Sequence, residues 1–217
     1  MERMELDQVK EMFGCMADAV IGKEALLTEI DEKIGDGDHG IGMARGFLAV
    51  KEQLPKMEAV SVNALFKEVG MTLLDAMGGA SGVIFGTMFI SGCGAVPLTD
   101  TLSLKELAPM MKRSLDNIQK RGGARRGDKT MIDSYGPAVE ALLAAEKRGD
   151  TLSAALKAAR DAAEKGMEQT KDYSARKGRA EAYGDYSVGI PDPGAVSVSI
   201  IMDAMYAYAK KTEEENI

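Results

Sequence analysis

The sequence predicts an all-α domain of about eight helices. Apolar residues recur every three to four positions through most of its 217 residues. Long alanine-rich segments carry Glu and Lys, which have high helix propensity. Serine or proline–glycine signals stand where several of these segments begin. No internal repeat or long linker divides the chain, so we expect a single domain over residues 1–217.

Apolar stripes predict the helices of the N-terminal half. Residues 6–20 carry one stripe, with a short continuation to Ile30. Residues 43–54 carry the next, and the proline that follows ends it. Residues 62–77 carry a third, and the serine before them is a typical N-cap.

Two apolar segments, residues 83–90 and 196–201, have the composition of buried strands. Small residues nevertheless recur at four-residue spacing, as at Gly78, Gly82 and Gly86, which lets helices approach closely. Periodicity alone does not decide between the two structures. We interpret both segments as buried helices.

The C-terminal half is predicted to hold the remaining helices. Ser103 is a candidate N-cap for a helix that runs through Ile118. Residues 131–148 and 151–171 are rich in alanine and strongly helical in propensity. A last helix is predicted from about Gly194 to Lys211.

Composition limits the function classes. The net charge of −7 disfavours a general nucleic-acid or anionic-membrane partner. The longest apolar stretch is broken by glycines and is too short to span a membrane. Cys15 and Cys93 form no metal-binding or disulfide pattern, which fits a cytoplasmic protein with two small, buried thiols.

Residues 31–40 are the most informative segment. Asp31, Asp36 and Asp38 surround a glycine-rich turn that could aim all three carboxylates at one point. Converging carboxylates repel unless a cation lies between them, and hard oxygen ligands suit Mg2+ or Ca2+. The alternative is that Asp38 only caps a helix that begins at His39. The acidic spacing is not that of an EF-hand.

Three further features have both a structural and a phosphate-binding interpretation. His39 is either a core residue or a phosphate donor at a helix start. The segment Gly78–Gly82 is either a tight helix–helix turn or an anion site at a helix start. A set of loop cations either is solvated or neutralises a polyphosphate; they are Arg125, Arg126, Lys129, Arg176, Lys177 and Arg179. Neither the P-loop motif nor the dinucleotide-binding glycine motif is present.

Six short motifs follow one another in order along the chain: Gly35-Asp36-Gly37-Asp38-His39-Gly40, Met43-Ala44-Arg45-Gly46-Phe47, Gly78-Gly79-Ala80-Ser81-Gly82, Gly127-Asp128-Lys129-Thr130-Met131, Gly178-Arg179-Ala180 and Asp192-Pro193-Gly194-Ala195. Together they resemble one family, the nucleotide-binding L subunits of dihydroxyacetone kinases (DhaL). The resemblance covers essentially the whole chain.

The resemblance implies eight antiparallel helices closed into a barrel, with a nucleotide, ADP or ATP, at one end. It implies two Mg2+ ions on Asp31, Asp36 and Asp38. It also implies a set of residues that contact the nucleotide, and it assigns no catalytic residue. These would be His39, Gly40, Ile41 and Gly42 on the phosphates, Ala80 and Ser81 beside them, Gly123 and Met131 at the base or ribose, Arg179 on a phosphate, and Asp192, Pro193 and Gly194 closing the site.

The implied activity is phosphoryl transfer to dihydroxyacetone held on a separate K subunit. In the phosphoenolpyruvate-dependent branch, a phosphohistidine carrier (the M subunit) rephosphorylates bound ADP. A chain of this length favours that branch over an ATP-using kinase for another short sugar, or a non-catalytic nucleotide-binding regulator. The sequence departs from the family pattern at Gly42, Val83 and Ile190-Pro191, so the identity of the phosphoryl acceptor stays open. A homodimer is possible, and the oligomeric state also stays open.

Overall fold

A computed structural model describes residues 1–215 of the chain, and most of these residues are helical. The prediction of an all-α fold is confirmed. In chain order the elements are β1 (Arg3–Glu5), α1 (Leu6–Ile21), α2 (Glu24–Ile34), α3 (His39–Gln53), α4 (Val62–Met77), α5 (Gly79–Ile90), β2 (Thr101–Ser103), α6 (Leu104–Gly122), α7 (Ile132–Arg148), α8 (Leu152–Gln169) and α9 (Pro193–Glu215).

Eight of the nine helices in the described residues pack in sequence around a common core. Helix α1 contacts α3, each helix from α3 to α8 contacts the next, and α9 returns to α1. Helix α2 lies against α3 and α9. The sequence predicted α2 as a continuation of α1, but a turn at Gly22 and Lys23 separates the two.

The core is filled with apolar side chains from helices distant in sequence. Phe13 of α1 packs edge-on against Phe66 of α4, with ring centroids 4.9 Å apart. Its ring also meets Phe89 of α5 at 5.6 Å in the same geometry. Edge-to-face aromatic pairs of this kind add stabilisation beyond the area that they bury. Residues of α1, α4 and α5 therefore share one core.

The predicted helix starts and the two uncertain segments agree with the structure. Ser61 accepts a hydrogen bond from the backbone N–H of Ala64 at 3.1 Å, and Ser103 forms a capping box with α6. Residues 83–90 and 196–201 are helical, as predicted. A Cβ built on Gly86 would lie 2.9 Å from the carbonyl oxygen of Gly70, so the small residues do permit close approach of α4 and α5.

Two structural features, a short strand pair and the exposure of a cysteine, differ from the sequence prediction. Strands β1 and β2 pair antiparallel with Met4 opposite Leu102, and both of these side chains are buried. Three-residue strands are too short to show a periodicity, so the sequence pattern does not predict them. Cys15 is exposed, against the expectation of a buried thiol, because it lies on the outer side of α1.

Among the helices of residues 1–215, none is long and apolar enough to cross a bilayer.

Candidate functional site

A cleft of about 500 Å³ lies where α2 ends and where α3, α5 and α9 begin. Its outer wall is formed in part by the segment between α8 and α9, residues 170–191, which contains a 3-10 helix (Arg179–Ser187) and which we call the strap. The cleft brings together all the predicted site residues except Gly40 and Gly123. Those that line it are Asp31, Asp36, Asp38, His39, Ile41, Gly42, Ala80, Ser81, Met131, Arg179, Asp192, Pro193 and Gly194.

The three aspartates converge at one side of the cleft. Asp31 lies in the last turn of α2, and Asp36 and Asp38 lie in the turn to α3. One carboxylate oxygen from each lies within 4.8 Å of the other two. Burial, reinforced by the neighbouring Asp36 and Asp31 carboxylates, raises the pKa of Asp38. Three anions held this close together suit a hard divalent cation.

The backbone around Asp31 is shaped to bring its carboxylate into the turn. A Cβ on Gly35 would lie 2.1 Å from the Asp31 Oδ1 atom, so a larger residue there would displace this carboxylate. The backbone N–H of His39 donates to Asp31 Oδ2 at 3.1 Å. Asp38 precedes α3 but its side chain makes no capping hydrogen bond. The alternative in which Asp38 serves as a side-chain cap is therefore wrong.

Three helix N-termini also point into the cleft. Residues of the first turns of α3, α5 and α9 line it, and first-turn N–H groups have no intrahelical carbonyl partner. Gly78 and Gly79 both have positive φ, 68° and 59°, which turns the chain from α4 into α5 within one residue. Converging N-termini favour negatively charged groups such as phosphates.

The strap contacts the turn between α2 and α3, residues 35–38, which we call the aspartate turn. Arg179 Nη1 lies 2.9 Å from Asp36 Oδ2, and the Tyr183 hydroxyl donates to the carbonyl oxygen of Gly35 at 3.1 Å. Lys177 also lines the cleft. The strap thus places two cations beside the carboxylates and the helix N-termini.

One buried lysine holds both ends of the strap. Lys129 is fully buried and donates to the carbonyl oxygens of Thr170 at 2.5 Å and Ile190 at 2.6 Å. The Asp192 N–H donates to Thr170 Oγ1 at 2.9 Å. Burial lowers the pKa of the Lys129 ammonium, while Asp192 acts to raise it. Lys129 is therefore a structural clamp and does not face the cleft.

His39 is buried at the back of the cleft. Its Nε2 lies 2.8 Å from Ser197 Oγ, and its Nδ1 lies 3.5 Å from Ser81 Oγ. Burial is the largest influence on its pKa and lowers it, although Asp31 opposes this. Burial thus disfavours the charged imidazolium form of His39.

Asp192 is the buried acid at the start of α9. Its Oδ2 accepts a hydrogen bond from the Ala195 N–H at 2.7 Å, as an N-terminal cap does. Burial raises its pKa to about 7, against the lowering effect of this hydrogen bond. Near neutral pH the side chain is divided between its charged and protonated forms.

Two predicted contacts lie away from the cleft lining. Gly40 is buried against α2, where a Cβ would lie 2.3 Å from the Glu24 carbonyl oxygen. Gly123 ends α6 with a φ of 65° and donates its N–H to Gln119. Gly40 is a glycine because α2 packs closely against it, and Gly123 is a glycine because the end of α6 adopts a left-handed conformation.

Arg45 lines the cleft but was not among the predicted site residues. It lies one helical turn after Ile41, and the i, i+4 spacing on α3 was the signal that could have identified it. Its guanidinium donates to the carbonyl oxygens of Ala76 at 2.9 Å and Met77 at 2.5 Å. Arg45 therefore ties α3 to the end of α4 at the cleft wall.

Solved structures share this fold. The dihydroxyacetone kinase of C. freundii in its native form aligns over 92% of this chain, with a TM-score of 0.72 and 29% identity. The same kinase in complex with AMP-PNP and Mg2+ aligns over 92%, with a TM-score of 0.73 and 28% identity. This chain spans about a third of each of those chains, 34% and 33%.

Sequence relatives cover most of the chain. The ADP-binding subunit DhaL of the PEP-dependent dihydroxyacetone kinase of Escherichia coli K12 is 42% identical over 85% of this chain and 88% of its own. Subunit DhaL of PEP-dependent dihydroxyacetone kinase 1 of Listeria innocua is 39% identical, over 83% and 85%. The L-erythrulose 1-kinase of Mycolicibacterium smegmatis is 38% identical, over 84% of this chain and 32% of its own.

A family profile described as "DAK2 domain" matches residues 33–207, which run from the last turn of α2 into the second half of α9. This chain belongs to the DAK2 domain family.

Proposed function

We propose that this chain is the ADP-binding subunit of a phosphoenolpyruvate-dependent dihydroxyacetone kinase. It passes a phosphoryl group from a nucleotide in the cleft to dihydroxyacetone held on a K-type partner subunit. A phosphohistidine carrier, the M-type subunit, then rephosphorylates the bound ADP. The observation that carries the proposal is the convergence of three carboxylates and three helix N-termini on one cleft. The identities to two DhaL subunits, 42% and 39%, support it.

The aspartate cluster fits magnesium. Its oxygen donors are of the hard type that Mg2+ prefers, and their mutual repulsion is relieved when a cation lies between them. We assign two ions to Asp31, Asp36 and Asp38. When bound, Mg2+ neutralises charge on the phosphates during transfer. The AMP-PNP and Mg2+ complex of the C. freundii kinase supports this choice.

The chain's own groups account for phosphate binding and orientation. First-turn N–H groups of α3 and α5 hold the phosphates, and Arg179 adds a positive charge from the strap. Met131 and the Asp192–Gly194 turn close the cleft around the rest of the nucleotide. The strap covers the open side and limits access of water. Phosphoryl transfer needs positioning and charge stabilisation more than a protein nucleophile, so no such nucleophile is required.

Two measurements test the proposal. Native mass spectrometry of freshly purified protein should show retained ADP with Mg2+. The protein should then form dihydroxyacetone phosphate when supplied with phosphoenolpyruvate, the phosphotransferase proteins and the K and M subunits of the Escherichia coli relative. An empty site that exchanges ATP freely would overturn the phosphoenolpyruvate-dependent mechanism. Retained nucleotide without any transfer would indicate a regulatory module instead.

A second candidate is an ATP-dependent kinase subunit for another short sugar. The 38% identity to the L-erythrulose 1-kinase favours it, and so does the 31% identity to the D-erythrulose kinase of the same organism. The discriminating assay compares ATP with phosphoenolpyruvate as donor, and erythrulose with dihydroxyacetone as acceptor. Transfer from ATP to erythrulose alone would select this candidate.

A further inference from the structure

Ser197 lies behind His39 and is absent from the cleft lining. It sits in α9 and is fully buried. Its hydroxyl oxygen is 3.0 Å from the carbonyl oxygen of Pro193 and 2.8 Å from His39 Nε2. The first contact joins residues four apart on α9, whereas the second joins residues 158 positions apart.

The proton positions follow from counting donors. A carbonyl oxygen only accepts, so the single hydroxyl hydrogen of Ser197 points at Pro193. The Ser197 oxygen is then an acceptor, and His39 Nε2 must carry the hydrogen between them. The opposite arrangement would set two oxygen acceptors, Ser197 Oγ and the Pro193 carbonyl oxygen, 3.0 Å apart with no hydrogen between them.

The other ring nitrogen is then fixed as well. A neutral imidazole carries one hydrogen, so Nδ1 of His39 holds a lone pair. This nitrogen lies 3.5 Å from Ser81 Oγ, and both His39 and Ser81 line the cleft. In this form the side chain of His39 offers an acceptor to the cleft and cannot itself donate to a phosphate.

We propose that Ser197 is a positioning residue that holds His39 as the Nε2–H tautomer, so that Nδ1 accepts the hydroxyl hydrogen of Ser81. Ser81 then presents oxygen lone pairs to the cleft, where they face a cation or its water, while backbone N–H groups bind the phosphates. The inference deepens the proposed function and rests on it, since the role of Ser81 presumes a nucleotide in the cleft.

His39 is the only histidine of the chain, which makes the tautomer directly measurable. Long-range ¹H–¹⁵N correlation spectra of the full chain, labelled at histidine nitrogen and free of nucleotide and metal, should show a protonated Nε2 and an unprotonated Nδ1. The reverse assignment, or one averaged signal for both nitrogens, would overturn the proposal. This measurement on the wild-type protein needs no variant to fold.

Variants then test the part played by Ser197. In Ser197→Ala the two nitrogen signals should move toward each other, because the acceptor that selects the tautomer is gone. In Ser199→Ala, a matched change on the same helix, the spectrum should match the wild type. A Ser197→Ala spectrum identical to wild type would show that another group sets the tautomer, and would overturn the role of Ser197.

A double-mutant cycle tests whether Ser197 acts through Ser81. Calorimetric affinity for ADP with Mg2+ should fall about fivefold in Ser197→Ala, the worth of one ordinary hydrogen bond. In a Ser81→Ala background the same change should have no further effect, since both act on one contact. Additive losses would overturn the linkage. Failure of the wild-type protein to bind ADP at all would instead overturn the proposed function and leave the tautomer result standing.

Discussion

Gly40 and Gly42 lie in the first turn of α3 and face different surroundings, so the same substitution should have opposite effects. A Cβ on Gly40 would lie 2.3 Å from the Glu24 carbonyl oxygen and 2.5 Å from the Thr28 backbone nitrogen. A Cβ on Gly42 would have nothing within 4 Å. The first site is therefore closed by backbone atoms of α2, and the second is open.

The magnitudes follow from these distances. Carbon contacts are favourable at roughly 3.5–4.0 Å, so Gly40→Ala must push α2 and α3 apart by about 1 Å. Overpacking of this kind costs about 1–3 kcal/mol, against a gain of about 0.5–1 kcal/mol from replacing a helical glycine. Because the obstructing atoms belong to the backbone, the upper end of that cost applies, and we expect Gly40→Ala to lose about 2 kcal/mol of unfolding free energy. Gly42→Ala should gain about 0.5–1 kcal/mol.

Urea unfolding and a thermal scan of both variants measure this difference. For a chain of this size a change of about 1 kcal/mol moves Tm by about 2–4 °C, so the two melting temperatures should differ by about 5–12 °C. Circular dichroism confirms that each variant is helical before unfolding. A Gly40→Ala protein as stable as wild type, or a shift of the same sign in both, would refute the assignment of Gly40 to helix packing.

Three further predictions concern the strap and the buried acid. K129M should lower the unfolding free energy by about 2–4 kcal/mol in urea titrations, because two buried carbonyl oxygens lose their donor. R179Q should change that energy by less than about 1 kcal/mol, since its ion pair with Asp36 is solvent-exposed, yet weaken ADP binding at least about tenfold in calorimetry. The pKa of Asp192 is about 7 in the folded chain and 3.8 ordinarily, so the folded chain binds this proton more tightly. The unfolding free energy of the wild type should thus fall as the pH rises from 3.8 to about 7. In thermal melts at several pH values, D192N should lack this contribution to the pH dependence of stability. Unchanged stability in K129M, unchanged ADP affinity in R179Q, or equal pH slopes in D192N and wild type would contradict these predictions.

Features that depend on neighbouring residues in the chain were predictable. Ser61 and Ser103 cap their helices as the sequence indicated, because a cap bonds to backbone only a few residues away. The convergence of Asp31, Asp36 and Asp38 was also predictable, since all three lie within eight consecutive residues that include two glycines. Most of the cleft lining follows from such short motifs.

Environments created by distant residues were not predictable. From the sequence, Lys129 was interpreted as a loop cation that is either solvated or bound to a phosphate. In the structure it is buried against the carbonyl oxygens of Thr170 and Ile190, which lie 41 and 61 positions away along the chain. Ser197 belonged to an apolar run, and only the packing of α9 against the start of α3 brings it to His39. A single sequence carries no signal for pairings at this separation.

The magnesium dependence of ADP binding tests the central claim most directly. Isothermal titration with ADP, in the presence of Mg2+ and of a chelator, would be run on the wild type, on Asp36→Asn and on Asp18→Asn. Asp18 is an exposed aspartate paired with Lys51, and so it matches the pairing of Asp36 with Arg179 outside the cleft. Mg2+ should strengthen ADP binding in the wild type and in Asp18→Asn, and should lose that effect in Asp36→Asn with the helical spectrum unchanged. Equal Mg2+ dependence in all three proteins would contradict the assignment of the aspartate turn as the metal end of a nucleotide site.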